Sequence, residues 1–433
     1  MTKPREMIIS DAVSLIQSGE KLVLGHAGIT PACLVEELVR QRDRLRDISI
    51  FQLIYLANPV HLGVECAESF RVVTPFMMGK EIRAAVDEHR ADYLPMHFSY
   101  VPSIFLPGGG YETPDWTLLQ VVGPDADGNY SCSLSSDFTL PAARASKHIM
   151  AIVNPQLPFI GGDNLIRGSE IDVIVHHSSL PYNLPLSRPE ESDTEIARLC
   201  ATLIEDGSTL QMGIGAIPDA VLDQLTEHKD LGIHTELFSD GVMRLHKAGV
   251  ITGKKKEIHP GKIVGSFVMG SDELYAYLDK NSEVELYPVD YVNNPYIIGK
   301  HSKFVSINSC IEVDLYGQVC AEKVNGKMFS GSGGQLDYLR GVRYSEGGKS
   351  ILALRSTAKG GELSRIVPNL HPQAVVTSPR NDVDYVVTEY GIAHLYGHTE
   401  ADRARQLISV AHPDFREDLE REAHQRFGLG KVY

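Results

Sequence analysis

The chain has 433 residues, enough for two domains of ordinary size that each bury a core. Hydrophobic residues make up 43% and charged residues 22%, the composition of a soluble globular protein. Lys and Arg number 41 against 56 Asp and Glu, a formal charge of −15, which argues against a general binder of nucleic acid or of anionic membranes.

The N-terminal stretch "MTKPREMIISDAVSLIQSGEK" is charged and helix-patterned and lacks the apolar core of a signal peptide. No stretch approaches the roughly 18 apolar residues of a membrane span. Six cysteines (Cys33, Cys66, Cys132, Cys200, Cys310, Cys320) show neither CxxC nor zinc-type spacing and read as reduced thiols. Both features point to the cytoplasm.

From residue 15, "LIQSGEKLVLGHAGITPACLVEEL" reads as a helix, a glycine turn, a short apolar strand, a small-residue turn and a second helix. "LPGGGYETPDW" (106–116) offers a tight turn with Tyr111 and Trp116, either a ligand-facing loop or a plain connection. "KHIMAIVN" (147–154) and "IDVIVHH" (171–177) read as strands, and "SSLPYNLPLSRPEESD" (178–193) is the linker signal. "LIEDGSTLQMGIGAIPDAVLDQL" (203–225) then repeats the opening pattern. "GKKKE" (253–257) reads as a solvated turn, and "KSILALRS" (349–356) as another strand. His394 and His398 share an i, i+4 spacing but have no third ligand in register, so no metal site is expected. "DFREDLEREAHQRFG" (414–428) closes the chain as a charge-laced amphipathic helix.

The repetition sets the organisation. Leu15, Ile16, Gly19, Leu22 and Gly25 fall on Leu203, Ile204, Gly207, Leu210 and Gly213, and further on Gly128 of "GPDADGNYSCS" falls on Gly317 of "EVDLYGQVCAE". The shared order indicates tandem duplication. The expectation is an α/β protein of two similar open domains, residues 1–187 and 188–433, with largely parallel sheets and the ligand site in the cleft between them.

Within "GIHTELFSDG" (232–241), Glu236 interrupts a β-prone run, and the duplication sets it opposite Leu53. An asymmetry at one position of a duplicated fold is what a single active site would leave; an edge-strand glutamate facing water is the plain alternative. "GIGAIP" (213–218) follows a strand and opens a helix, with Glu236 near the distance at which an acid binds ribose in dinucleotide folds. Pro218 replaces the third glycine of that fingerprint, so a nicotinamide-dependent oxidoreductase is a weaker reading. "FSGSGGQLDYL" (329–339) is a second glycine-rich helix start whose N–H groups can bind an anion.

Taken together, "GIGAIPDAV", "HTELFSDG", "SGSGGQLDYLRG" and "VVTEYGIAHLYG", with "PDWTLLQVVGPDADGNYSCSLSSD" in the first half, resemble the acetyl-CoA hydrolase/transferase family, closest to its 4-hydroxybutyrate and butyrate CoA-transferases. The resemblance implies that Glu236 is the catalytic nucleophile, acylated and then carried as a glutamyl-CoA thioester. It implies that coenzyme A binds around Gln211, Met212, Gly213, Ile214, Gly215, Ile311, Gly333, Gly334, Gln335 and Lys359. Acyl-CoA and a short carboxylate such as acetate would be substrates, with no metal and no resident cofactor, in a homodimer or higher homo-oligomer. The segment departs from the family at Gly123, often Ser, and Leu134, often Gly, which touches packing or acyl recognition and not the nucleophile. An acyl-CoA hydrolase and a non-catalytic CoA-sensing module are the remaining alternatives.

Overall fold

The computed structural model describes residues 3–184 and 188–429. Residues 185–187, inside the expected linker and at the expected boundary, lie outside the described residues. Packing divides the chain into two compact units, Met1–Pro185 with Ile263–Val292, and Leu186–Lys262 with Asn293–Tyr433. Segment 263–292, which a single break at 187/188 assigns to the second half, packs within the first unit.

In the first unit the helices α1 (Ile9–Ser14), α2 (Ala32–Arg40) and α3 (Thr139–Ala145) alternate with strands. The strands are β1 (Arg5–Glu6), β2 (Lys21–Leu24), β3 (Ile48–Phe51), β4 (Phe70–Thr74), β5 (Ala91–Tyr93), β6 (Trp116–Val121), β7 (His148–Val153) and β8 (Val173–His176). They form one parallel sheet in the order β1-β8-β7-β6-β2-β3-β4-β5. Strands β6 and β7 read WTLLQV and HIMAIV, nearly all buried, because a parallel sheet covered on both faces needs continuous apolar runs. In the returning segment, Ile263–Val268 pairs in parallel with Val284–Leu286.

The second unit repeats the plan. Helix α4 (Glu191–Ala201) precedes β9 (Thr209–Met212), α5 (Ala216–Gln224) leads to β10 (Gly232–Phe238), and α6 (Gln335–Gly341) links β11 (Phe304–Asn308) to β12 (Lys349–Ala353). Strand β13 (Tyr385–Thr388) is parallel to β12, and β14 (Gly391–His394) closes the edge antiparallel. The order β13-β12-β11-β9-β10 has the connectivity of β8-β7-β6-β2-β3 in the first unit. Helices α7 (Glu400–Val410) and α8 (Pro413–Phe427) cover this sheet through Leu407, Ile408 and Leu419, so the C-terminal helix buries an apolar stripe beneath its charged face.

The repeat reaches single hydrogen bonds. Gly19 and Gly207 take φ of +81° and +78°, a region glycine enters without Cβ strain. Asp125 Oδ1 accepts from the N–H groups of Asp127 and Asn129, and Asp314 Oδ1 accepts from those of Tyr316 and Gln318. Gly128 and Gly317 close these two turns with φ of +83° and +84°.

One sequence reading changes, and one left open narrows. Lys254 and Lys255 of "GKKKE" are exposed, but Lys256 is buried and donates to the carbonyls of Ile233 and Lys262, each at 2.8 Å. "LPGGGYETPDW" is a packed connection: Tyr111 meets Phe51 and Phe105 edge-on, and Trp116 Nε1 donates to Glu20 at 3.1 Å. Leu134 is fully buried and lies where a Cβ on Gly28 would stand, 2.6 Å from its Cδ1, which makes it a packing residue. Among the described residues no helix is long and apolar enough to cross a membrane.

Buried His61 lies 2.6 Å by Nε2 from Gln52 Oε1, and burial pushes its pKa down to about 3. Below about pH 6.5 the unfolded chain takes up a proton that the folded protein refuses, so stability present above that pH is lost as pH falls, by about 1.4 kcal/mol per unit. The thermal midpoint is expected to fall less steeply between pH 6.5 and 4 in His61→Gln than in wild type, as read by calorimetry across that range.

Candidate active site

Successive side chains of a strand point to opposite faces, so Thr235 and Glu236 of β10 part company. The Thr235 hydroxyl lies 3.1 Å from the carbonyl oxygen of Met212 and 2.9 Å from that of Leu237, tying β10 to β9. One residue on come Gly213, just past the end of β9, and Glu236, within β10. Glu236 is the one residue of β10 that is not buried; it is half-buried. Its Oε2 accepts from Asn293 Nδ2 at 2.6 Å, a charge-assisted bond worth about 1.5–3 kcal/mol. Asn293 is itself fully buried, and its Oδ1 accepts from the Tyr338 hydroxyl at 2.9 Å. Burial, then the charges of Glu236 and Asp337, push that hydroxyl well above the ordinary tyrosine range, so it stays protonated and donates.

Gly334 is required by this arrangement. A Cβ there would stand 2.1 Å from Glu236 Oε2 and 2.2 Å from Asn293 Nδ2, closer than any side chain can come. Gly333, with φ +52°, turns the chain into helix α6. Gln335, the first residue of α6, is buried and donates to Ser378 Oγ at 2.9 Å.

Strand β9 is flanked by β10 on one side and β11 on the other, which makes the C-terminal end of β9 a switch point where open α/β sheets bind ligands. The turn that follows is Gly213–Ile214–Gly215, and nothing lies within 4 Å of a Cβ built on either glycine. In the first unit the matching turn is closed: a Cβ on Gly25 would stand 2.7 Å from Ile29 O and 3.1 Å from Leu119 Cα. Buried Gln211 exchanges two amide hydrogen bonds with Asn308 at the end of β11, at 3.2 and 3.0 Å. Three residues later half-buried Ile311 donates its N–H to Cys320 O at 2.8 Å. Pro218, at the third-glycine position of the dinucleotide fingerprint, is buried in the first turn of α5.

Lys359 stands apart from this group. It is exposed at the tip of the hairpin formed by Thr357–Ala358 and Leu363–Ser364, and lines a cavity of about 720 Å3 with Arg355 and Arg365. Arg355 is held by Asp193, at 2.8 and 2.6 Å, and by Glu190 at 2.8 Å. The Lys359 ammonium and the Arg365 guanidinium make no hydrogen bond among the described residues, leaving two cations for an anionic ligand. His394 lies 3.1 Å from Asp384 and stacks on Tyr385.

Sequence reading missed Asn293 and Tyr338. Asn293 lies in "YVNNPYII", where the adjacent Asn-Pro signals a turn and nothing marks a contact to residue 236. Tyr338 carried a signal, because it follows Gly334 by one helical turn and so shares its face of α6.

The profile of the acetyl-CoA hydrolase/transferase N-terminal domain matches residues 4–184 and that of the C-terminal domain residues 270–423. A 4-hydroxybutyrate coenzyme A transferase from Clostridium kluyveri is 48% identical over 431 residues, covering 98% of both chains. A butyryl-CoA:acetate CoA-transferase from Anaerostipes caccae is 33% identical, covering 96% of this chain and 95% of its own. The crystal structure of a 4-hydroxybutyrate CoA-transferase from Porphyromonas gingivalis superposes with a TM-score of 0.84 at 42% identity, covering 98% of both chains.

Gly334→Ala is expected to push the Glu236 carboxylate off Asn293 and lower turnover about a hundredfold, the cost of a displacement near 1 Å, with the melting temperature little changed. Parallel kcat and melting measurements check it.

Proposed function

The chain belongs to the acetyl-CoA hydrolase/transferase family and is an enzyme of its CoA-transferase class, and from that premise we propose that it moves CoA from 4-hydroxybutyryl-CoA or butyryl-CoA to a short carboxylate such as acetate, by ping-pong exchange through Glu236. The observation that carries the assignment of the nucleophile is the half-buried carboxylate of Glu236, oriented by Asn293 beside a glycine whose missing Cβ gives that bond its room.

Each bond change then has a group to serve it. One Glu236 oxygen, Oε1, attacks the thioester carbonyl and expels CoA thiolate, leaving a mixed anhydride. The thiolate attacks the glutamyl carbonyl and expels the donor acid, which gives the glutamyl-CoA thioester. An acceptor carboxylate attacks that thioester, and the released thiolate attacks the acceptor's carbonyl in the new anhydride, freeing acyl-CoA and restoring Glu236. Throughout, Oε2 remains the oxygen that alternates between carboxylate, carbonyl and oxyanion, and Asn293 Nδ2 donates to it. Backbone N–H groups of Gly213 to Gly215 serve the oxyanion on the substrate carbonyl. Gln211, Met212, Ile311, Gly333 and Gln335 shape the CoA channel in this reading, and Lys359 meets a CoA phosphate. Coenzyme A acts as substrate and not as a resident cofactor. The reading includes a cytoplasmic homodimer or larger homo-oligomer, consistent with six unpaired thiols, all but Cys33 buried.

Incubation with butyryl-CoA alone, reduction with borohydride and peptide mass spectrometry are expected to find residue 236 as the alcohol derived from a glutamyl thioester. Glu236→Gln should give no such adduct and lose exchange while still binding acyl-CoA; wild-type exchange by that variant would refute the mechanism. Adding acetate distinguishes transfer from hydrolysis, since a hydrolase consumes acyl-CoA equally without it. Lys359→Ala is expected to raise KM for acyl-CoA roughly tenfold, for a lost contact of about 1.5 kcal/mol, with kcat unchanged in steady-state assays.

A further inference from the structure

We propose that Tyr338 is a positioning residue for this exchange: its hydroxyl fixes which way the Asn293 amide faces, so that an N–H, and not the carbonyl, meets Glu236 at the stages when Glu236 carries no charge. The inference rests on the ping-pong reading and adds to it a residue that touches neither substrate nor the reacting atoms.

An asparagine amide is nearly symmetric in shape, and a half-turn about its last bond exchanges Oδ1 for Nδ2. While Glu236 is a carboxylate it selects the correct face itself, because a flipped amide would set one oxygen lone pair against another at 2.6 Å. Acylation removes that selection. In the anhydride and the thioester the glutamyl oxygen is a neutral carbonyl, a weaker acceptor, just before it must become an oxyanion. Something else must then hold the amide, and the Tyr338 hydroxyl is placed to do it. It donates to Asn293 Oδ1 at 2.9 Å. A flip of the amide would break both this bond and the one from Nδ2 to Glu236 Oε2.

The phenol is rigid. Its ring is fully buried and stacks on Phe304 with centroids 6.1 Å apart and planes 22° apart. Its backbone N–H donates to Gly334 O at 3.2 Å. One turn of helix α6 therefore supplies both the missing Cβ at 334 and the hydroxyl at 338. Phenylalanine would keep the ring and its stacking and remove only the donor.

The test accumulates the glutamyl-CoA thioester on the full-length protein with butyryl-CoA, adds acetate, and follows the thioester's decay by quenched borohydride trapping. Tyr338→Phe is expected to slow that decay at least tenfold while the Kd for butyryl-CoA stays within twofold of wild type. Asn293→Ala should slow it as much or more, and the double variant should be no slower than Asn293→Ala alone, because the hydroxyl acts only through the amide. A wild-type decay rate in Tyr338→Phe, or losses that multiply in the double variant, would overturn the proposal. Rates are compared at a temperature where the circular dichroism of each variant equals that of wild type, so a merely structural role shows as a normal rate there. Glu236→Gln separates the two levels. Exchange by Glu236→Gln, or a wild-type adduct away from residue 236, defeats the ping-pong reading; an adduct at 236 with normal decay in Tyr338→Phe defeats this inference alone.

Discussion

The hydrogen bond between Asn293 Nδ2 and Glu236 Oε2, made across a position where no Cβ can stand, is the constraint on which the proposed chemistry depends. A carboxylate in a half-buried strand is costly unless a donor compensates its lost hydration. Here the donor is a buried amide whose own oxygen is satisfied by a phenol. The same donor suits every state that a carboxylate nucleophile passes through, since each presents an oxygen at the same place. Stabilisation set in advance costs no reorganisation when charge develops.

Duplication explains how one such site arose on a repeated plan. Both units carry the same strand connectivity and the same aspartate-closed turn, yet the turn after the central strand is packed shut in the first and open in the second. In the first unit the region holds His26 and Asp137, both fully buried, 2.6 Å apart and walled by Phe98, Phe138 and Phe267. Burial pushes the Asp137 carboxyl up, but His26, Ser135 and the Thr139 N–H together outweigh it and hold the group below the usual carboxylate range. The second copy keeps its switch point free, and there a glutamate stands where the first has Leu53, itself buried.

Much of this was legible in the residues. Glycines at turns, apolar runs at parallel strands and the internal repeat are local or periodic signals, and each survived folding. Glu236 was legible for the opposite reason, as a charge that breaks a β pattern. Lys256 shows the limit: its neighbours Lys254 and Lys255 are exposed, and only the approach of the Ile233 and Lys262 carbonyls makes burial of the third ammonium tolerable.

The sequence by itself determined the elements, their repetition, the two glycine-rich helix starts and the odd carboxylate, because these depend on residues within a few positions of one another. Only the tertiary structure decided that Asn293, 57 residues from Glu236, faces its carboxylate, and that Tyr338, 45 residues further on, faces Asn293. It also decided that segment 263–292 packs with the first unit and which of two similar turns stays open. Such contacts follow from how strands order themselves in a sheet, and no spacing along the chain records that order.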